Sequence, residues 1–252
     1  MKDVRVLLIT GASSGIGAAL ARCYAAPGTT LVLGGRDRAR LEATADACRE
    51  SGAEVHASTI DVRDATVMTA WVREADARRP LDLVIANAGI SGGTGGGDAA
   101  ARTREIFATN VDGVLNTVLP AIEGMRERRR GQIGIMSSLA AFRGLPGAAA
   151  YSASKAAVKA WGEGLRGWLA GEGIEVSVVC PGFVESRITA ANRFAMPLLM
   201  DADRAAAIIR RGLEADRSRI AFPRRLYAAA WLLGALPVNL TDRLVRALPE
   251  KR

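Results

Sequence analysis

The sequence predicts an α/β fold, a parallel sheet covered by helices on both faces. Three observations carry this expectation. Short apolar runs alternate with longer stretches of helical period through most of the chain. The runs are apolar throughout rather than at every second position, as in strands buried on both faces. A glycine-rich segment directly follows the first run, where a strand must turn sharply into a helix.

The elements follow in order. A first strand is expected over 4–9 and a helix over 18–26. A second strand over 30–33 leads into a helix over 38–51, with Leu41, Ala45 and Cys48 on one side. A third strand over 54–60 and a helix over 66–77 come next, then a fourth strand over 83–86. A long helix follows Asn110, and a fifth strand covers 132–136. The helix after Tyr151 has Trp161, Leu165, Trp168 and Leu169 at core spacing, and a sixth strand covers 175–179. This order makes two βαβαβ halves, a doubly wound sheet of the Rossmann type that binds nucleotides. Residues 91–97 are glycine-rich and read as a surface loop, not a boundary. Residues 1–224 form one expected domain, and 225–252 form its helical extension.

Composition narrows the function. The chain has 252 residues, 49% of them hydrophobic and 24% charged, enough for a large core. Its net charge of +8 is dispersed, and no nucleic-acid motif accompanies it. Arg126, Arg128, Arg129 and Arg130 form a dense cluster, expected at the exposed end of a helix, where positive charge suits the dipole. Cys23, Cys48 and Cys180 are scattered, so neither a disulfide framework nor a zinc site is expected, and the setting is a reducing, cytoplasmic one. His56 is the only histidine, which excludes a Ser-His-Asp triad and a histidine metal cluster within one chain. The first strand begins too early for a signal peptide. The longest apolar run, over 226–238, falls short of the ~20 residues that span a bilayer.

Three groups of residues carry the chemistry. Gly11, Ser13, Ser14, Gly15, Ile16 and Gly17 open the first helix in a G-x-x-x-G-x-G spacing. Glycine lets the backbone approach a pyrophosphate, and the helix N-terminus offers free N–H groups and a positive dipole end. At the end of the second strand, Gly35 stands where an acid would bind the ribose hydroxyls of NAD. Arg36 follows and suits the 2′-phosphate of NADP, with Asp37 as the competing acid. Asp61 and Val62 after the third strand, and Asn87, Ala88 and Gly89 after the fourth, lie at carboxyl ends, where open α/β sheets bind ligands. Asp61 is a candidate for the adenine amino group. Finally, Tyr151 and Lys155 sit four apart on one helical face, with Ser138 thirteen residues earlier. A fixed cation beside a phenol favours the phenolate and lowers its pKa.

In combination and in order, TGASSGIG, Asn87-Ala88-Gly89, Asn110, Ser138, Tyr-x-x-x-Lys and Pro181-Gly182 resemble the short-chain dehydrogenase/reductase family, over about residues 4–190. The resemblance implies an NAD(P)-dependent oxidoreductase that interconverts a small-molecule carbonyl and an alcohol. It implies Tyr151 as general acid in reduction and base in oxidation. Lys155 would lower the Tyr151 pKa and bind the nicotinamide ribose, Ser138 would hold the substrate oxygen, and Asn110 would hold a water leading from Lys155 to solvent. Pro181, Gly182, Phe183 and Val184 would line the nicotinamide, with the Ser186 hydroxyl on its carboxamide. NADP(H) is expected over NAD(H), and no metal is expected. A homodimer or homotetramer is implied, with Ala156, Ala160 and Gly164 as small residues on the helix after Tyr151.

Outside the family core, residues 187–201 are the expected substrate lid. Ile188, Phe194, Met196, Leu198, Leu199 and Met200 join Leu139, Phe142, Leu145 and Phe183 in an expected apolar pocket. In the tail, residues 225–236 are apolar nearly all round, and Leu240, Leu244 and Leu248 form a stripe beside Arg243 and Arg246. Such a surface must be covered by the domain, a partner subunit or a membrane, protein burial being the favoured expectation. Two alternatives stay open: a non-catalytic dinucleotide-binding regulator or scaffold, and a peripheral-membrane reductase of a lipid or steroid-like substrate.

Overall fold

The structure, a computed structural model, describes residues 4–92, 98–190 and 194–246. Most of the glycine-rich loop, part of the 187–201 lid and Leu248 lie outside the described residues.

The chain begins with β1 (Val6–Thr10), α1 (Gly15–Tyr24), β2 (Thr30–Gly35), α2 (Arg38–Glu50), β3 (Glu54–Thr59), α3 (Ala65–Arg78) and β4 (Leu83–Ala86). It continues through α4 (Ala99–Phe107), α5 (Gly113–Glu127), β5 (Gly131–Met136), α6 (Ala149–Leu169) and β6 (Ile174–Pro181). After α7 (Arg187–Ala190) and α8 (Ala202–Glu214) come β7 (Arg219–Phe222), α9 (Arg224–Ala235) and α10 (Val238–Arg246). The seven strands form one parallel sheet in the order β3-β2-β1-β4-β5-β6-β7. Growth reverses at β1. The carboxyl ends of β1 and β4 therefore flank the topological switch point, where this architecture leaves a crevice.

Alternation along the strands divides the core into two layers. Leu7, Ile9, Leu31, Leu33, Leu83 and Ile85 pack against α1, α2 and α8. Val6, Leu8, Val32 and Val84 pack against α3, α5 and α6 on the other face. Both faces are covered, which is why these strands read as continuous apolar runs.

Four features differ from the sequence expectation. β7 was not expected: it is a four-residue edge strand with Arg219 and Ala221 only half-buried, too short and mixed for an apolar-run signal. Helical structure also starts before Asn110. α4 leads into α5 through one π-helical turn at Ala108–Asp112, and α4 buries only Ile106, so its sequence shows no apolar stripe. Trp168 is not core. It is 58% exposed, and its ring lies 4.4 Å from the Arg126 guanidinium. The arginine cluster does sit at the end of α5, yet it is a rivet rather than a solvated patch. Arg128 grips Asp76 at 2.9 Å through two nitrogens, Arg126 pairs with Glu172, Arg130 with Asp82, and Arg129 donates to the Gly171 carbonyl.

Candidate active site

The glycine turn leaves β1 with Gly11 at φ +69° and Gly15 at φ +53°, a region that disfavours side chains. Space demands glycine as well. A Cβ at Gly17 would stand 2.3 Å from the Gly11 carbonyl oxygen, and one at Gly11 would stand 2.8 Å from the Ala88 Cα. The segment after β4 braces this turn. Asn87 Nδ2 donates to the Thr10 and Gly11 carbonyls at 2.9 and 3.2 Å, and the Asn87 and Ala88 amides donate to Thr10 Oγ1. Asn87 thus shapes the site through the turn. Ser14 is extended and makes no side-chain cap, so the first-turn N–H groups of α1 keep their capacity for an anion. A cavity of about 470 Å³ opens beside them, lined by Ser13, Ser14, Gly15, Arg40 and Ser186 among others. These features fit a dinucleotide pyrophosphate.

At the end of β2 the two candidate cofactor-sorting residues separate. Asp37 caps α2, accepting from the Arg40 amide at 3.0 Å and pairing with Arg40 Nη2 at 2.9 Å. Arg36 is exposed. Asp61, beyond β3, is gripped by Arg63 at 2.5–3.0 Å, and that hydrogen bonding holds its carboxyl below the usual range, with a smaller contribution from Arg36. Val62 is buried and packs against Gly113.

Ser138, Tyr151, Lys155 and Asn110 converge between β5 and α6. Ser138 follows β5, and its hydroxyl accepts from the Ala140 amide at 3.1 Å. Burial pushes the Tyr151 pKa up, and the neighbouring Ser138 hydroxyl opposes that shift. Lys155 lies one turn further along α6, 3% exposed, with Nζ donating to the Met136 carbonyl at 2.8 Å and 6.0 Å from the Tyr151 ring centre. Desolvation lowers its pKa to about 8. Burial sets the net direction at Tyr151, against the lowering that a neighbouring Lys155 would bring. Asn110 is fully buried in the π turn. Its Oδ1 accepts from the Ile90 amide at 2.8 Å, and its Nδ2 donates to the Ile90 carbonyl and to Ser154 Oγ at 2.9 and 3.0 Å. Ser154 in turn donates to the Tyr151 carbonyl at 2.8 Å. Gly89 fills the gap between Asn110 and Lys155; a Cβ there would lie 3.2 Å from Asn110 Oδ1 and 3.3 Å from Lys155 Nζ.

Sequence reasoning did not single out Ser154 or Ser137. Ser154 sits three residues after Tyr151, and Ser137 Oγ donates to the Lys155 carbonyl at 2.8 Å. Both follow from helical spacing and adjacency to named residues, but two serines alone carry no signal.

Pro181, Gly182 and Val184 close the site after β6. Val184 bridges to Met200, and the Met200 amide donates to the Phe183 carbonyl at 3.0 Å, tying down the far end of the lid. Ser186 is engaged locally: its amide donates to Thr189 Oγ1 at 2.8 Å, and its Cβ backs Gly15. Phe183 and Phe194 meet edge to face at 6.1 Å, and Met196 is half-buried. Ile188, Leu198 and Leu199 are exposed instead of lining a pocket. Leu139, Phe142 and Leu145 lie on the segment between β5 and α6, Leu139 buried and the other two half-buried. Phe142 packs edge-on to Tyr227 of α9 at 5.5 Å, with Lys159 and Arg219 over its ring.

Comparison with known proteins agrees with this geometry. A short chain dehydrogenase family model matches residues 5–196. An uncharacterized oxidoreductase of Myxococcus xanthus is 39% identical over 97% of both chains. A monensin polyketide synthase putative ketoacyl reductase of Streptomyces virginiae is 41% identical over 72% of this chain and 71% of its own. Among solved structures, a Burkholderia phymatum short chain dehydrogenase/reductase in complex with NAD superposes with a TM-score of 0.84 at 26% identity, covering 96% and 95% of the two chains. A Sphingobium yanoikuyae short-chain dehydrogenase in complex with NADPH does so at 0.80 and 26%, covering 99% and 98%. With the parallel sheet, the glycine turn and the match over most of its length, the chain belongs to the short-chain dehydrogenase/reductase family and is an oxidoreductase.

Proposed function

We propose that the protein reduces the ketone of an apolar, acyl-like substrate with NADPH, using Tyr151 as the proton donor. The observation that carries this is the convergence of the Ser138 and Tyr151 hydroxyls, with the buried Lys155 one helical turn from Tyr151. The bound cofactor supplies a hydride to the carbonyl carbon. Negative charge then develops on the carbonyl oxygen, where two hydroxyl donors stabilise it. Tyr151, with a raised pKa, keeps its proton at neutral pH and transfers it to that oxygen. Lys155 orients the nicotinamide ribose, and the Asn110–Ser154 hydrogen bonds hold the backbone that carries Tyr151. The ketoacyl reductases among the relatives support the substrate class, as do Leu139, Phe142 and Phe183 beside the site.

Tyr151→Phe removes only the hydroxyl. Reductase turnover is expected to fall at least ~10²-fold with cofactor affinity nearly constant. Near-normal turnover with a good substrate overturns the assignment.

The NADPH preference rests on Arg36. Asp37 is committed to capping α2 and Gly35 brings no carboxylate, so nothing at the end of β2 repels a 2′-phosphate. Arg36→Ala is expected to weaken NADPH binding by about 1.5–3 kcal/mol and leave NADH little changed. Equal weakening of both cofactors in a titration removes Arg36 from this role.

A further inference from the structure

The C-terminal helices expose their apolar side chains. Trp231 is 53% exposed, Leu240 68% and Leu244 65%, and Leu232, Leu236 and Val238 are exposed with them. The inner sides of the helices are already used. Leu226, Tyr227 and Ala230 of α9 pack on Leu139 and Phe142, while Thr241 and Val245 of α10 are buried and Asp242 pairs with Arg143 at 2.8 Å. The outer face is therefore not a fraying end waiting to fold inward. Six large apolar side chains in two consecutive helices and the turn between them exceed the scatter of single exposed residues normal for a soluble surface.

Charge identifies what suits this face. Residues 224–246 contain four arginines and a single carboxylate, Asp242, which is paired. Arg224, Arg225 and Arg243 flank the apolar side chains from exposed positions. α9 has 12 residues, about 18 Å of helix, and no helix among the described residues is long and apolar enough to cross a membrane. Short helices with a tryptophan and leucines on one side, rimmed by arginine, suit the plane of a lipid interface. A second copy fits poorly, because two-fold pairing of this face brings the same arginines together. Nucleic acid fits poorly as well, because a phosphate backbone offers no apolar partner to the exposed Trp231, Leu240 and Leu244.

We propose that the outer face of α9 and α10 docks on an anionic bilayer surface. Trp231, Leu232, Leu240 and Leu244 enter the headgroup–acyl boundary, and Arg224, Arg225 and Arg243 meet lipid phosphates. Each arginine near such a surface contributes about fivefold in binding.

The test uses the full chain and vesicles of phosphatidylcholine, with or without phosphatidylglycerol. Cosedimentation is expected with the anionic vesicles, at least about tenfold stronger than with neutral ones, and weakening as salt rises. Tryptophan emission is expected to shift to the blue on binding, and the shift to shrink in Trp231→Phe. Leu240→Ser with Leu244→Ser, and separately Arg224→Gln with Arg225→Gln, are expected to cut binding about tenfold or more while keeping reductase activity, since all four side chains are exposed. Failure of the wild type to bind either vesicle overturns the proposal, as does unchanged binding by both double variants. A dimer that the leucine pair dissociates, with no vesicle binding, assigns the face to a second copy instead. Duplex DNA that binds the wild type and the leucine variant alike, and removes both from vesicles, reduces the effect to generic polyanion attraction and also overturns it.

Discussion

Helix α6 and the helix pair α9–α10 invert the usual partition of side chains in opposite ways. α6 buries a lysine and two serines, while Ala153, Ala157 and Ala160 face outward. The terminal pair buries a threonine and exposes a tryptophan and leucines. The difference lies in where compensation is found. Lys155, Ser152 and Ser154 find hydrogen-bond partners within the fold, at the Met136 carbonyl, the Leu145 amide and the Tyr151 carbonyl. Burial of polar groups is tolerable when each is satisfied. The exposed face of α9–α10 finds no such compensation among the described residues, which is what the proposed bilayer contact would supply.

The sharpest way to break this contrast is to make α6 ordinary. Lys155→Met keeps the length of the side chain and removes the buried ammonium. Reductase activity is expected to fall ~10²-fold or more, as for other groups in the proton-transfer machinery. Stability is expected to rise by about 1–2 kcal/mol, because relief of desolvation exceeds the loss of one bond to the Met136 carbonyl. Denaturant unfolding at neutral pH checks it. A destabilised variant means that the lysine is a structural necessity and not a functional cost.

The pH dependence sharpens the same point. The Lys155 pKa lies at about 8 in the folded protein and at 10.5 when unperturbed. Between those values the unfolded chain binds more protons, so stability rises with pH. Below about 8 both states are protonated and the contribution is flat, with the desolvation penalty fully present. The difference in unfolding free energy between wild type and Lys155→Met is therefore expected to shrink as pH climbs from 8 towards 10.5. Reductase activity is expected to decline over the same interval, as the ammonium is lost. A stability difference that does not change with pH refutes the buried-cation reading.

The smallest expected effect separates the two faces of α9. Tyr227→Phe deletes the hydroxyl that Arg219 Nη1 donates to at 3.1 Å but keeps the ring against Phe142. It is expected to cost about 0.5–1.5 kcal/mol and to raise KM a few-fold with kcat steady, since the substrate wall loosens. Vesicle binding is expected to be unchanged. A change in vesicle binding instead joins the two faces into one function.

Much of the fold was legible because its signals are local. β1, β2, β4 and β6 announce themselves as largely apolar runs, whereas β3 is mixed and partly exposed, and the glycine turn requires glycines at Gly11 and Gly15 whatever surrounds them. Tyr151, Lys155 and Ser138 stand out by spacing and order. What stayed hidden depends on distant partners. Helical periodicity placed Trp168 in the core, and only Arg126 on α5 explains its exposed position. Asp37 read as a competing acid for the ribose, and only the Arg40 amide and guanidinium show it committed to capping α2. Asn110 seemed to precede a helix because a π turn breaks the 3.6-residue period on which such readings depend.

Sequence alone determined the family, the order of the first six strands along the chain and the identity of the four converging residues, since each is written in runs, spacings and turn residues. Tertiary structure alone decided the electrostatics of Tyr151 and Lys155 and the exposure of the α9–α10 face. A pKa depends on the solvent that burial removes, and an apolar helix shows the same pattern whether or not something covers it.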